Sequence, residues 1–327
     1  MKTTEYYATE QGGKPAQSTQ ILELLAHYPV FVDQANKCFI RVKVSSHTEN
    51  WSIETTEFTE WLAHLYFQEF SRSTNSASLK DAVTTLKGKA KHSGATQITY
   101  LRAGKSDTNG YWLDVGDSNW SSIHVEPDQW TVKTSSEATF FRKDSTNTLP
   151  LPTHNGDISH LWEYVNIPEQ DRILVITLLI DYLRPDTAHP LLVLDGEQGA
   201  AKSTTQRFLK QLIDPSAMPL RVAPKNEQDF FIAAANDYVL SYNNISTLSP
   251  NEQDALCNLS TGGTFVKRAL YSDSNEVIIN IQRPVMMNGI GTLVTAQDLL
   301  ERSIYLRLPI INSSNRITEQ NLESRFE

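Results

Sequence analysis

Cysteine, long apolar runs and surplus positive charge are all scarce in this sequence, and each shortage excludes a class of protein. Only two cysteines occur in 327 residues, Cys38 and Cys257, and neither has a metal-ligand spacing around it. A disulfide-stapled secreted domain and a zinc ribbon are thereby excluded, leaving two buried thiols in a reducing compartment. The most apolar run, ILVITLLIDYL from Ile173, is too short to cross a bilayer and contains Asp181, so it reads as a buried helix. The leading MKTTEYYATEQGGK has no apolar centre of the kind a secretory signal needs. These absences predict a soluble cytoplasmic protein with no membrane partner. Acidic residues outnumber basic ones by 38 to 29, a net charge of −9. That excludes a histone-like coat for DNA but leaves room for a local basic groove, because net charge does not fix its distribution. No internal repeat or low-complexity tract interrupts the chain.

The pattern that is present changes near residue 150. Before it, a helical stretch (QSTQILELLAHY) is followed by two short alternating segments, PVFVD and CFIRVKV. Two further helices follow, EFTEWLAHLYFQEF and SLKDAVTTLKGKAK. After these stand strand-like runs, QITYLRA, YWLDV, SSIHV, QWTVK and TFFR, separated by turn signals such as Asp107–Gly110. The connections are too short for crossover helices, so an α+β unit with mostly antiparallel pairing is expected over 1–150. The polar, proline-rich TNTLPLPTHNGD from Thr146 marks the expected boundary. From 151 to 327 helices and strands alternate. A helix is expected from about Asp157 and a longer one from Glu169 to Leu183, stopped by Arg184-Pro185. The continuously apolar Leu191–Leu194 has the composition of a parallel strand buried on both faces. The fold class expected is therefore α/β, with a parallel central sheet, preceded by a smaller α+β domain.

Between that strand and the next helix the chain reads G-E-Q-G-A-A-K-S from Gly196, against the pattern G-x-x-x-x-G-K-[ST]. Gly196 and Gly199 give the backbone angles that turn successive amides inward, and Glu197, Gln198, Ala200 and Ala201 complete the cradle. Lys202 is spaced to reach β- and γ-phosphates, Ser203 to place a hydroxyl on Mg²⁺, and Thr204 stands next in line. The helix KSTTQRFLKQLID directs its partially positive N-terminus at the same anion, with Phe208, Leu209, Leu212 and Ile213 as its buried stripe. Ala201 departs from the pattern where a glycine is usual, which is tolerable if its φ is negative and costs little otherwise. The cofactors expected are ATP and Mg²⁺.

Further pieces follow in order: DYVLSYNNIS, LSTGGTFVKRALYSDSNE, RPVMMNGIG and DLLERSIYLRLP. With the glycine loop, they make the block Leu191–Pro309 resemble the superfamily-3-like AAA+ ATPase domains of phage and mobile-element replication proteins, often found beside a primase. The likeness covers about a third of the chain. It implies a strand Tyr238–Tyr242 ending beside the loop, where relatives carry an aspartate that orders the water around Mg²⁺; the matching residue is Asn243. Asn288 matches the polar residue that senses the γ-phosphate and positions the attacking water. Arg302 matches the arginine supplied to a neighbouring subunit's nucleotide, with Arg307 in reserve. SPNEQDALCNLSTGG reads as a helix capped by Ser249, Pro250 and Glu252. TFVKRALY and EVIINIQ read as two arms of a strand pair. Lys267 and Arg268 on the first arm are either contacts to a nucleic-acid backbone or solvated strand-edge charges.

The resemblance implies an oligomeric ATPase acting on single- or double-stranded DNA as a helicase or translocase in mobile-element replication, in a ring such as a hexamer. The asparagine at 243 implies tight ATP binding with weakened hydrolysis. The alternative is a nucleotide-gated scaffold or regulator, for example a phage-defence component, with little turnover. A C-terminal helical lid is not legible after the arginine segment, as in a shortened chain or a reduced relative. In the first 150 residues, Lys80, Lys87, Lys89, Lys91 and His92 form either a solvated helix face or a patch for nucleic acid or a protein partner. Trp112, Trp120 and Trp130 read as packing residues, and no arrangement there resembles a polymerase or nuclease centre.

Overall fold

The computed structural model describes residues 15–185, 187–224, 226–268 and 276–326, with the side chains of 264–280 and of 315 outside the description. The described residues form two units. One comprises the chain up to Lys43 with Trp51–Gln97, the other Val44–Asn50 with Ile98 onward.

In the first unit three helices accompany a small sheet. Helix α1 (Gln17–Leu24) precedes strands β1 (Val30–Val32) and β2 (Cys38–Val44), which pair antiparallel with Val30 opposite Ile40. Helix α2 (Thr56–Phe70) starts where the Thr55 side chain accepts from the Phe58 amide, and α3 (Ser76–Ser93) where Asn75 accepts from Ser78. Each such cap satisfies a donor that the first helical turn leaves open. Their inward faces, Phe58, Leu62 and Tyr66 on α2 and Ala82, Leu86 and Ala90 on α3, are buried at helical spacing. Strand β3 (Ala95–Thr96) then returns parallel to β1. Lys80, Lys89, Lys91 and His92 are exposed, and Lys87 pairs with Glu54 at 3.2 Å.

The second unit opens with an antiparallel meander of β4 (Ala103–Lys105), β5 (Tyr111–Asp114), β6 (Ser122–Val125) and β7 (Trp130–Lys133). Its tryptophans pack internally: Trp112 stacks on His124 at 4.2 Å, Arg142 covers Trp120 at 4.2 Å, and Trp130 lies on His154 at 4.7 Å. The expected runs QITYLRA and TFFR shrink to two-residue strands, Thr99–Tyr100 and Thr139–Phe140, which pair in parallel.

The sequence placed a domain boundary at the proline-rich segment from Thr146; the units divide at Gln97 instead. The segment is not a linker, because it is bonded to the end of a later helix: Asn147 N donates to Pro215 O at 3.1 Å, and Ala217 N to Ser145 O at 2.9 Å. Arg102 reinforces this. Its buried guanidinium reaches the Asp214 carboxylate at 3.0 Å and the carbonyls of Asn147 and Pro215 at 3.0 and 3.1 Å.

Beyond it, Asp157 caps a 3₁₀ turn, Ile158–Glu163, in place of the expected α-helix. Helix α4 (Arg172–Tyr182) leads to β8 (Leu191–Asp195) and α5 (Lys202–Ile213). Then come α6 (Glu227–Ala234), β9 (Leu240–Ile245), α7 (Pro250–Thr261), and a hairpin of β10 (Gly263–Arg268) and β11 (Glu276–Ile281). Strand β12 (Val285–Gly289), helix α8 (Gln297–Leu300), strand β13 (Ser303–Arg307) and helix α9 (Glu319–Phe326) complete the chain. The main sheet is parallel throughout, in the order β9-β12-β8-β13. Leu191, Leu192, Val193 and Leu194 on its inner strand β8 are all 0 % exposed, as a strand covered on both faces requires.

Candidate functional site

Parallel strands deliver their C-terminal ends to one edge of the sheet, and the loop 196–201 leaves β8 there and enters α5. Gly196 has φ +148° and Gly199 φ +89°, and a methyl on Gly196 would come within 2.8 Å of Leu308 O. Only glycine fits both positions. Ala201 does not have the negative φ at which its methyl would be readily tolerated. It sits left-handed, at φ 54° and ψ 34°, as the residue preceding α5, so the loop takes the path a glycine would follow there despite the extra methyl. Among the described residues the amides of Gly199, Ala201, Lys202 and Ser203 have no acceptor. A helix N-terminus in that state is a ready receptor for an anion. The Lys202 ammonium donates to the carbonyls of Gly196 at 2.6 Å and Glu197 at 3.2 Å, folded onto the loop it serves. Ala200 is buried, Gln198 and Glu197 are exposed on the loop, and Thr204 occupies the first turn of α5.

Strand β9 extends past Tyr242, its expected end, to Ile245, with a register break between those residues and φ +61° at Asn244. The irregularity puts Asn243 beside the loop. Its Oδ1 accepts from Ser203 Oγ at 2.7 Å and from Asn288 Nδ2 at 2.8 Å. Asn288, fully buried at the end of β12, also donates to Gln206 Oε1 at 2.6 Å and accepts from the Asn244 amide at 3.1 Å. Gln206 in turn donates to Ser241 Oγ at 2.8 Å and Tyr242 O at 3.0 Å. Three residues picked out separately in the sequence, Ser203, Asn243 and Asn288, are thus joined by two hydrogen bonds that meet on Asn243 Oδ1 at the mouth of the loop. Their oxygens are hard but uncharged, so they suit Mg²⁺ only together with anionic oxygens from another source.

Other sequence candidates lie elsewhere. Arg302 immediately precedes β13, whose Ser303 is opposite Leu191 and whose Arg307 is opposite Asp195. It therefore stands at the other end of the strand, about 15 Å from the loop edge at the usual rise per residue. Its guanidinium is held by the Asp298 carboxylate and carbonyl, each at 2.6 Å. Arg307, at the loop edge, lines a cleft of about 480 Å³ with Pro168, Gln170, Glu197, Pro309 and Ile310. Lys267 and Arg268 belong to the hairpin arm β10, but their side chains lie outside the described residues.

Three polar residues at the site carried no flag in the sequence. Gln206 is fully buried within the α5 stripe, a polar interruption that periodicity alone could have marked. Asn166 donates to Ala200 O at 3.0 Å and Pro309 O at 2.7 Å, and only folding brings these together. Arg316 lies over Gly199, where a methyl would meet its Nη2 at 2.7 Å.

The parallel sheet fits an α/β fold of the NTPase type. The chain belongs to the family of actinomycete integrative conjugative element replication proteins, whose model matches residues 158–327, more than half of the sequence. Among solved structures, the A form apo structure of the NrS-1 C-terminal region is similar at TM-score 0.50 and 12% identity, covering 97% of this chain and 66% of that one. A structure titled SCCmec type IV Cch, active helicase, has TM-score 0.46 and 12% identity, covering 91% of this chain and 56% of that one. The NrS-1 match shows a likeness of fold, and the chain spans just under two thirds of that region. No curated protein matches. Among the described residues no helix is long and apolar enough to cross a membrane, and no acidic, histidine or cysteine cluster could hold a metal by itself.

Proposed function

We propose that the chain binds ATP with Mg²⁺ at the loop 196–204 and works as a slow, oligomeric, nucleotide-dependent protein in the replication of mobile DNA. The observation that carries this reading is the Ser203–Asn243–Asn288 hydrogen-bonded chain beside the unpaired amides of Gly199, Ala201, Lys202 and Ser203. The amides and Lys202 suit the triphosphate. Ser203 suits the metal, whose remaining partners would be phosphate oxygens and waters. Asn288 suits the water that attacks the γ-phosphate, and the cleft between Pro168 and Ile310 leaves room for the base. Bound Mg²⁺ would neutralise charge on the transferring phosphoryl group. Asn243 accepts hydrogen bonds as an aspartate would but adds no negative charge, which weakens the hold on the metal. Arg302 stands too far from its own loop to act there and is offered to a neighbour's nucleotide in a ring.

The test is Asn243→Asp. Its Oδ1 already takes two donors, so a carboxylate fits without rearrangement, and ATP turnover should rise at least about tenfold. A natural chain that already turns over at tens per second, with no gain in the variant, sinks the proposal. Lys202→Ala should abolish ATP binding. The carboxamide at 243 also favours a second reading, in which ATP occupancy drives assembly without a rapid cycle. Hydrolysis measured with and without single-stranded DNA, alongside mass by light scattering, separates the two. DNA-stimulated turnover by a ring supports the motor, and ATP-dependent assembly with negligible turnover supports the scaffold.

A further inference from the structure

Three carboxamides beside the loop form a chain whose direction is set from inside the sheet. Gln206 and Asn288 are both fully buried, so each polar end must meet a partner of the right kind. Gln206 Nε2 faces Ser241 Oγ at 2.8 Å and the carbonyls of Tyr242 and Met286 at 3.0 and 3.3 Å. A carbonyl only accepts, so the amide nitrogen has to sit there and the amide oxygen has to point the other way. That oxygen accepts from Asn288 Nδ2 at 2.6 Å, and the same nitrogen gives its second proton to Asn243 Oδ1 at 2.8 Å. The opposite end of Asn288 agrees, its Oδ1 accepting at 3.1 Å from the Asn244 amide, a group that only donates. Asn243 Oδ1 is therefore an acceptor twice over, from Asn288 and from Ser203 Oγ at 2.7 Å. Its Nδ2 is left on the open side of this half-buried side chain, with no acceptor among the described residues.

We infer that Asn243 presents a hydrogen-bond donor to the ligand of this loop, and that Gln206 is the positioning residue that fixes this polarity. The occupant suited to a donor is an anionic phosphate oxygen. A water bound to Mg²⁺ turns its protons outward and needs an acceptor instead. This rests on the nucleotide reading above and changes what position 243 does within it. A carboxylate there would offer a second acceptor oxygen to the water around the metal, whereas the carboxamide offers its N–H to the phosphate itself. The unpaired amides of Gly199, Ala201, Lys202 and Ser203 and the Lys202 ammonium are donors as well. The polyphosphate is thus held by donors alone, with no metal needed as a bridge, and Mg²⁺ on Ser203 is left to the transfer step. The chain accordingly binds the triphosphate with or without Mg²⁺.

Calorimetric titration of ATP into the full chain, once with Mg²⁺ and once with EDTA, tests this. The natural chain should keep its affinity within about threefold when EDTA replaces Mg²⁺. Asn243→Ala removes the donor without adding charge and should weaken ATP in EDTA about tenfold, the usual worth of a hydrogen bond to a charged group. Asn243→Asp should lose more in EDTA, because its carboxylate repels phosphate, and recover most of the loss with Mg²⁺. Gln206→Met fills the same space but no longer directs the carboxamides, so affinity should fall in EDTA by more than it falls with Mg²⁺. Ser241→Ala, a milder loss of one anchor of Gln206, should shift the two buffers in the same sense by a smaller factor. Thermal melts without nucleotide check that each variant is folded. An unchanged affinity of Asn243→Ala in EDTA overturns the inference, as does a natural chain that binds ATP with Mg²⁺ but not with EDTA. Equal losses in both buffers for Gln206→Met and Ser241→Ala would make Gln206 a packing residue and remove its positioning role. A natural chain that binds no ATP in either buffer overturns the nucleotide reading and this inference together.

Discussion

Ala201 holds a left-handed conformation at φ 54° because the turn into α5 leaves no other path, and its methyl meets the following carbonyl at a cost of about 1–2 kcal/mol. Ala201→Gly removes that clash but gives the unfolded chain more freedom, so a net gain of about 0.5–1 kcal/mol is expected. Chemical denaturation should show a higher midpoint at unchanged slope; a lower midpoint would mean that the methyl packs favourably. Asn243 illustrates a different residue-level balance. Neutral and charged forms of the side chain can accept the same two hydrogen bonds, so exchanging one for the other should leave little trace in packing.

Between elements, a buried trio joins the meander to the parallel sheet. Asp214, at the end of α5, receives Arg102 at 3.0 Å, the Val239 amide at 3.0 Å and Lys210 at 3.4 Å. Burial alone would raise its carboxyl, but Lys210 and Arg102, with the Val239 amide, outweigh that and hold its pKa below the ordinary carboxylate range. A depressed folded value contributes stability that is complete above about pH 4 and is lost as pH falls further. Asp214→Asn leaves two cations buried without their partner and should cost about 3–5 kcal/mol at neutral pH. Urea midpoints at pH 7 and pH 3.5 check both statements: the variant should lose less than the natural chain on acidification. Ser249 works on a smaller scale. It caps α7 in a reciprocal box with Glu252, and Ser249→Ala should cost about 1 kcal/mol by the same measurement.

For the molecule as a whole, the position of Arg302 at the other end of β13 from the loop has a consequence for assembly. If each nucleotide is completed by a neighbour, Arg302→Ala and Lys202→Ala subunits are each inactive alone, and mixing them should restore part of the turnover. Mixtures that stay silent, from chains that still assemble by light scattering, would remove Arg302 from the trans role. Two units, one holding the lysine-bearing helix α3 and the other the meander and the parallel sheet, also give a natural place for separate partners, which pull-down with each unit deleted would assign.

The α/β class, the loop and the helices could be read from local chemistry. β8 is apolar at every inward position, α7 carries its cap and stop in sequence, and the glycines at 196 and 199 mark a turn no side chain could make. The side chains at 203, 243 and 288 were legible as separate signals but not as one bonded chain, because that depends on a register break in β9 and on Gln206 beneath it. The boundary expected near residue 150 differs from the division at Gln97, since proline and polar residues look the same in a linker as in a segment bonded to a distant helix end. Arg316 was invisible for the same reason. Sequence sets what each stretch prefers within a few turns of itself. Contacts across a hundred residues, such as Arg102 with Asp214 or Gly199 with Arg316, exist only once burial has brought the elements together.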